Sequence, residues 1–146
     1  MADRLKLELA TPTRLVVSEA ADEVVVPGVH GYFGVLPGHA PLLAQVGVGE
    51  VMYRQGREEH YLAVAGSFAE VGPDRVTILA ETAERPEEID LARARAAQER
   101  AEGRLGGRAG GDEIDLTRAL QSLARARARQ QVATRRGGQP LTPRDG

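Results

Sequence analysis

Cysteine and tryptophan are absent from this 146-residue chain, lysine occurs once, at Lys6, and only five residues are aromatic. Without cysteine there can be no disulfide framework, thiol nucleophile or thiolate metal site. The single lysine lies in an alternating run near the start and not behind a glycine turn, which excludes the phosphate-gripping pattern GxxxxGK[ST]. The opening MADRLKLELA is charged where a secretory leader needs an apolar run of about seven residues, and no stretch approaches the roughly 18 apolar residues of a bilayer span. These absences give the expectation of a soluble, unexported protein.

What is present divides into two halves. Residues 1–86 hold seven basic and twelve acidic side chains, residues 87–146 twelve and nine, so the halves carry about −5 and +3 within a net −2. All the aromatic residues, Tyr32, Phe33, Tyr53, Tyr61 and Phe68, lie in the first half with most of the valines. The second half is rich in alanine, arginine and glutamate.

Short alternating or apolar runs bounded by Gly, Pro or Asp fill the first half, the pattern of a small all-β unit. Strands are predicted at 5–9, 14–17, 23–26, 32–36, 42–46, 50–54, 60–65, 67–71 and 75–80. Two antiparallel sheets packed face to face would bury this pattern. From Pro86 the period changes: Ile89, Ala92, Ala96, Ala97 and Ala101 fall at helical spacing, as do Leu116, Leu120 and Leu123. The expected architecture is an N-terminal antiparallel β-sandwich of about ten strands over 1–86, a C-terminal antiparallel two-helix hairpin over 87–133, and a disordered tail over 134–146. Gly103, Gly106, Gly107, Gly110 and Gly111 read as a flexible connection between the helices.

EIDLARA at 88–94 recurs as EIDLTRA at 113–119, and both copies read as helix starts, where carboxylates meet free backbone N–H groups and the positive end of the helix dipole. That is a purely structural reason for the acids. The hairpin has no aromatic residue and an alanine contact stripe, so at about 25 cal/mol per Å² its docking should be weak. A weakly docked hairpin on a glycine connection suits a switch between two arrangements.

Several chemistries find no support. The segment PGVHGYFGVLPGHAP lacks the GxGxxG order and a following helix, against a dinucleotide fold. His30, His39 and His60 match no zinc-ligand spacing and read as surface or contact residues. None of Ser18, Ser67 and Ser122 lies in GxSxG. The arginines say more. Arg118, Arg125 and Arg129 share a helix face, Arg127 projects elsewhere, and no acid lies between Asp115 and Asp145, which leaves an unpaired basic set open to an anionic partner. With Arg93 and Arg100 on the first helix, several guanidinium groups could meet a polyphosphate. Three classes follow: an arginine-rich nucleic-acid binder, a regulatory subunit docking acidic protein, and a free-standing nucleotide sensor. The first is the weakest, because the hairpin offers no stacking platform and the −5 half repels a phosphate backbone.

At GYFGVLPGHAPLL, 31–43, the sequence closely resembles the epsilon subunits of bacterial F-type ATP synthases, and the likeness extends from about Leu5 to Ala133 through LAVAGSFAEV, VTILAETAE and the IDLARA helix start. The resemblance implies a noncatalytic component of the rotor, whose sandwich joins the gamma subunit to the membrane ring of c subunits and couples proton flow to nucleotide turnover. It implies a c-ring contact at Val29, His30, Gly31, Tyr32 and Phe33, and a gamma contact around His39. An acidic side chain is common in the family where Tyr32 stands, so the polar part of the ring contact differs here. It also implies a hairpin that extends to oppose ATP hydrolysis, with Arg125, Arg127 and Arg129 meeting an acidic segment of the beta subunits. Some bacterial members bind ATP on the folded hairpin through [IL]DxxRA, which Ile89, Asp90, Arg93 and Ala94 reproduce. Glu84, Arg100, Arg125 and Arg129 match the accompanying positions. The implied ligand is therefore regulatory ATP with no required cofactor and no metal. The implied place is the cytoplasmic face of the bacterial cell membrane, reached through protein partners alone and without nucleic acid.

Overall fold

The computed structural model describes residues 3–106, 113–135 and 139–140. Eight strands come first: β1 (Leu5–Ala10), β2 (Leu15–Ala21), β3 (Glu23–Gly28), β4 (Gly31–Val35), β5 (Leu42–Gln45), β6 (Val48–Gln55), β7 (Glu58–Val71) and β8 (Arg75–Glu84). A 3₁₀ turn at Pro86–Glu88 leads to α1 (Leu91–Gly106) and α2 (Glu113–Ala133). A two-residue strand, β9 (Gln139–Pro140), pairs with Glu58 and Glu59, so this part of the expected disordered tail is ordered, while 136–138 and 141–146 lie outside the described residues.

The strands pair in the order β2-β1-β8-β7-β6-β3-β4, with β5 also on β7. All neighbours are antiparallel except β1 and β8. β7 belongs to both layers of the sandwich: its first half pairs with β6, its second with β5, and β8 runs along most of it. The two strands expected at 60–65 and 67–71 are therefore one, broken in register at Gly66. Gly66 is required there, because a Cβ would overlap the Val46 side chain and stand 2.8 Å from its carbonyl oxygen. The bulge inserts one residue and reverses the alternation, so Leu62 and Val64 point into the core before it, and Ala69 and Val71 after it.

One apolar core fills the sandwich, with Val24, Val26, Val51, Tyr53 and Leu62 meeting Leu5, Leu7, Leu9, Val76 and Ile78. β6 is apolar on both faces, since Val51 and Tyr53 face this core while Met52 and Val48 face the helices. The junction to the helices is tied down by Arg85, which donates from Nη1 to the Tyr53 hydroxyl (3.3 Å) and from Nη2 to the Val16 carbonyl (3.1 Å). Burial pushes the Tyr53 phenol above its ordinary pKa.

The helices depart from expectation in two respects: Ile89 precedes α1 as a buried residue of the turn, and α1 runs through Gly103 to Gly106. The second EIDL segment opens α2 at Glu113, as a helix start should. The 107–112 part of the glycine connection lies outside the described residues.

Candidate functional site

The hairpin lies folded against the outer face of β6 and the first half of β7. Ile89, Ala94, Ala128, Val132 and Ala133 pack on Met52, Tyr61 and Ala63, with Val25, Val48 and Leu91 at the margin. The helix contribution is mostly alanine, as the sequence predicts, and at about 0.8 kcal/mol per buried CH2 such a contact is modest. Polar contacts supplement it. Arg129 Nε lies 2.8 Å from Glu84 Oε1 and its Nη2 donates to Oε2 at 3.1 Å, joining α2 to β8. Arg135 Nε stands 3.4 Å from Glu50 Oε2, and Gln130 of α2 donates to Gln98 of α1.

Between helices and sheet a groove of about 310 Å³ opens, lined by Ala63–Ala65 and Thr82 from the sandwich, Ala97 from α1, Ser122, Arg125 and Arg129 from α2, and Glu84. It presents two guanidinium groups, two hydroxyls and one carboxylate, a set that can hold a ligand carrying both anionic oxygens and hydroxyl donors.

Of the eight residues expected at an ATP site, the groove brings together Glu84, Arg125 and Arg129. The other five lie elsewhere. Ile89 and Ala94 are buried in the docking contact. Asp90 accepts the Arg93 backbone N–H on Oδ1 (3.1 Å) and caps α1, the structural role that its sequence setting predicts. Arg93 and Arg100 lie exposed on α1 outside the groove lining. The arginines of α2 are not an unpaired set: Arg129 pairs with Glu84 and Arg127 approaches Glu102 of α1 at 3.9 Å, because the folded hairpin brings carboxylates from other elements. Arg125 and Arg118 have no ion pair among the described residues.

The predicted c-ring segment forms the turn between β3 and β4. Val29, His30, Gly31 and Tyr32 are exposed, whereas Phe33 packs partly against the sandwich core. Gly31, at φ +130°, takes a backbone conformation that side chains disfavour. The Tyr32 hydroxyl accepts the Glu50 backbone N–H at 3.1 Å, so the ring leans along the sandwich. His39, half buried, keeps its Nδ1 2.6 Å from the Ala40 carbonyl oxygen. Sequence reasoning missed one surface: Leu43, Phe68 and Leu79 are all exposed, Leu43 by 70%. Phe68 pairs directly with Leu79, and Leu43 with Glu70, which places Leu43, Phe68 and Leu79 on one outer face. Strict alternation hides Phe68, because only the bulge at Gly66 turns it outward.

A β-sandwich followed by a two-helix hairpin, with an exposed apolar face on the sandwich and an arginine-bearing groove beneath the helices, defines a two-part class of chain. Its two parts match the models of the ATP synthase delta/epsilon chain, the beta-sandwich domain over residues 4–86 and the long alpha-helix domain over 87–134. The chain belongs to this family. Relatives include an ATP synthase epsilon chain of Syntrophobacter fumaroxidans, 51% identical over 91% of this chain and 98% of its own length. Another is ATP synthase epsilon chain 2 of Syntrophotalea carbinolica, 50% identical over 94% and 99%. In fold, the protein is similar to a chain of the Euglena gracilis mitochondrial ATP synthase in its OSCP/F1/c-ring assembly, with a TM-score of 0.78, 22% identity, and coverage of 92% of this chain and 83% of that one.

Proposed function

We infer that the chain is a noncatalytic subunit of the central stalk of a proton-translocating ATP synthase, joining the gamma subunit to the c ring. Its folded hairpin is the inactive form of an element that opposes ATP hydrolysis when it extends toward the beta subunits, and ATP in the arginine groove favours the folded form. Family membership supports the stalk role. The open apolar face of Leu43, Phe68 and Leu79, with His39, is the surface offered to gamma, and the turn at Val29–Tyr32 is the surface offered to the c ring. No helix among the described residues is long and apolar enough to cross a membrane, consistent with attachment to the cytoplasmic membrane face through partners.

The observation that carries the regulatory part is the hairpin contact itself: a small apolar patch beside Arg125 and Arg129, with one of those arginines held by Glu84. Such a contact has a small free-energy gap, which a ligand of modest differential affinity can shift. The test is the ATP hydrolysis rate of the reconstituted complex with the full chain and with a chain ending at Arg85, across a range of ATP concentrations. Faster hydrolysis with the short chain, by a margin that shrinks as ATP rises, is expected. Equal rates throughout would overturn the inhibitory role, and absence of heat when ATP is titrated into the full chain at millimolar concentration would overturn the ATP site.

A further inference from the structure

Arg135 stands just past α2, where its backbone N–H donates to the Val132 carbonyl (2.9 Å) and closes the helix. Its guanidinium carbon lies 4.2 Å from the centre of the Tyr61 ring, and its Nε is 3.4 Å from Glu50 Oε2. The Tyr61 hydroxyl donates to Glu59 Oε2 at 2.8 Å, which fixes the ring beneath the arginine. Glu50, Glu59 and Tyr61 are only 9%, 3% and 5% exposed, and all three belong to the sandwich. The arginine comes from the hairpin. This contact therefore exists only while α2 is docked.

Its chemistry favours that state. A carboxylate removed from water is costly unless opposite charge and hydrogen bonds meet it, and a planar guanidinium near an aromatic face gains a cation–π attraction that strengthens as water is excluded. None of Glu50, Tyr61 and Arg135 lines the arginine groove. The groove is bounded by Ala63–Ala65 further along β7, and by Arg125 and Arg129 further back on α2. We propose that Arg135 is a latch: clamped over Tyr61 and Glu50, it biases the hairpin toward the docked arrangement with no ligand bound, separately from the groove that holds Arg129. This rests on the reading that the hairpin leaves the sandwich. It adds that the resting balance is set at the end of α2, and that a ligand in the groove acts on top of a bias already present.

The test is hydrogen exchange of α2 backbone amides in the full-length chain without nucleotide, comparing wild type, Arg135→Ala, Arg135→Lys and Tyr61→Leu. Arg135→Ala is expected to speed α2 exchange roughly tenfold, from the loss of one ion pair and one cation–π contact, while core amides such as Leu62 and Val64 keep their rates. Arg135→Lys keeps the charge without the planar group and falls between. Added salt speeds α2 exchange in wild type and has less effect in Arg135→Ala. Unchanged α2 exchange in Arg135→Ala would overturn the latch. So would wild-type α2 amides that exchange no faster than the core, because the hairpin would then not open on its own. If α2 exchange responds as expected while ATP hydrolysis by the complex is the same for full and shortened chains, the latch stands and the inhibitory reading falls.

Discussion

Arg129 on α2 and Glu84 at the end of β8 meet through two nitrogen–oxygen contacts, Nε to Oε1 at 2.8 Å and Nη2 to Oε2 at 3.1 Å. The Nη2 contact is a hydrogen bond and the Nε contact an ion pair, and together they tie the guanidinium across the boundary between hairpin and sandwich. Replacing Glu84 by Gln should weaken hairpin docking by about 1 kcal/mol, since both groups are partly solvated. Limited proteolysis of the full chain would show this as faster cleavage within α2, with the sandwich fragment left intact.

Gly66→Ala is expected to destabilise the sandwich by roughly 3 kcal/mol, the upper part of the range for an overpacked core position. The added methyl meets the Val46 side chain and the Val46 carbonyl oxygen, a backbone atom that cannot rotate away as the end of a flexible side chain could. Urea unfolding should show a lower midpoint with an unchanged slope.

Leu43→Arg combined with Phe68→Glu should change stability by no more than about 0.5 kcal/mol, because both side chains are already exposed. The same pair should abolish co-purification with the gamma subunit if this face is the gamma contact. Retained co-purification would move that contact elsewhere.

Asp22 is expected to make one end of the sandwich sensitive to acid. The Gly56 backbone N–H (2.7 Å from Oδ2) is the main cause that holds its carboxyl below the usual carboxylate range, with Arg4 and Arg54 adding to it against the opposing effect of burial. A depressed folded-state pKa gives stabilisation that is complete above the unfolded value and is lost as pH falls through the folded one. Asp22→Asn should therefore lower the melting temperature at neutral pH, and the difference from wild type should vanish in strong acid. A difference that is constant with pH would show that Asp22 acts by shape alone.

A chain ending at Arg85 should fold, because Arg85 keeps its bonds to Tyr53 and Val16 and the sandwich core includes no residue of the hairpin. Met52, Tyr61 and Ala63 then become exposed, so the short chain should bind an apolar dye that the full chain excludes.

The sequence made the two-part architecture legible, because valine-rich alternation and alanine-rich helical spacing are opposite periodicities separated at Pro86. The alanine character of the docking contact was legible too, but not its register: helical spacing picked out Ala92, Leu116 and Leu120, which stand exposed, while Ala94, Ala128 and Val132 make the contact. The path of β7 was not. A strict alternation rule assigns Phe68 to the interior, and only pairing across the sheet reveals the extra residue at Gly66 that turns it outward. The arginine set of α2 failed for a related reason: Glu84 and Glu102 are far away in sequence, so the run from Leu116 to Arg144 looked unopposed until the hairpin closed on the sheet. Asp90, which matches a ligand motif, accepts the Arg93 backbone N–H on Oδ1, the capping role that a helix start gives an acid whatever else it does.

The continuity of β7 bears on mechanical load. The face carrying Phe68 and the face carrying Tyr61 are two stretches of a single 14-residue strand, about 45 Å of chain at the usual rise per residue. A tug between a partner on one face and the helices on the other runs along covalent bonds and is spread sideways into β6, β8 and β5 as shear. Separate strands would have peeled apart one hydrogen bond at a time. A component that carries load between partners on its two faces gains stiffness from that arrangement, and the glycine bulge lets the stiff element turn the corner between its two layers.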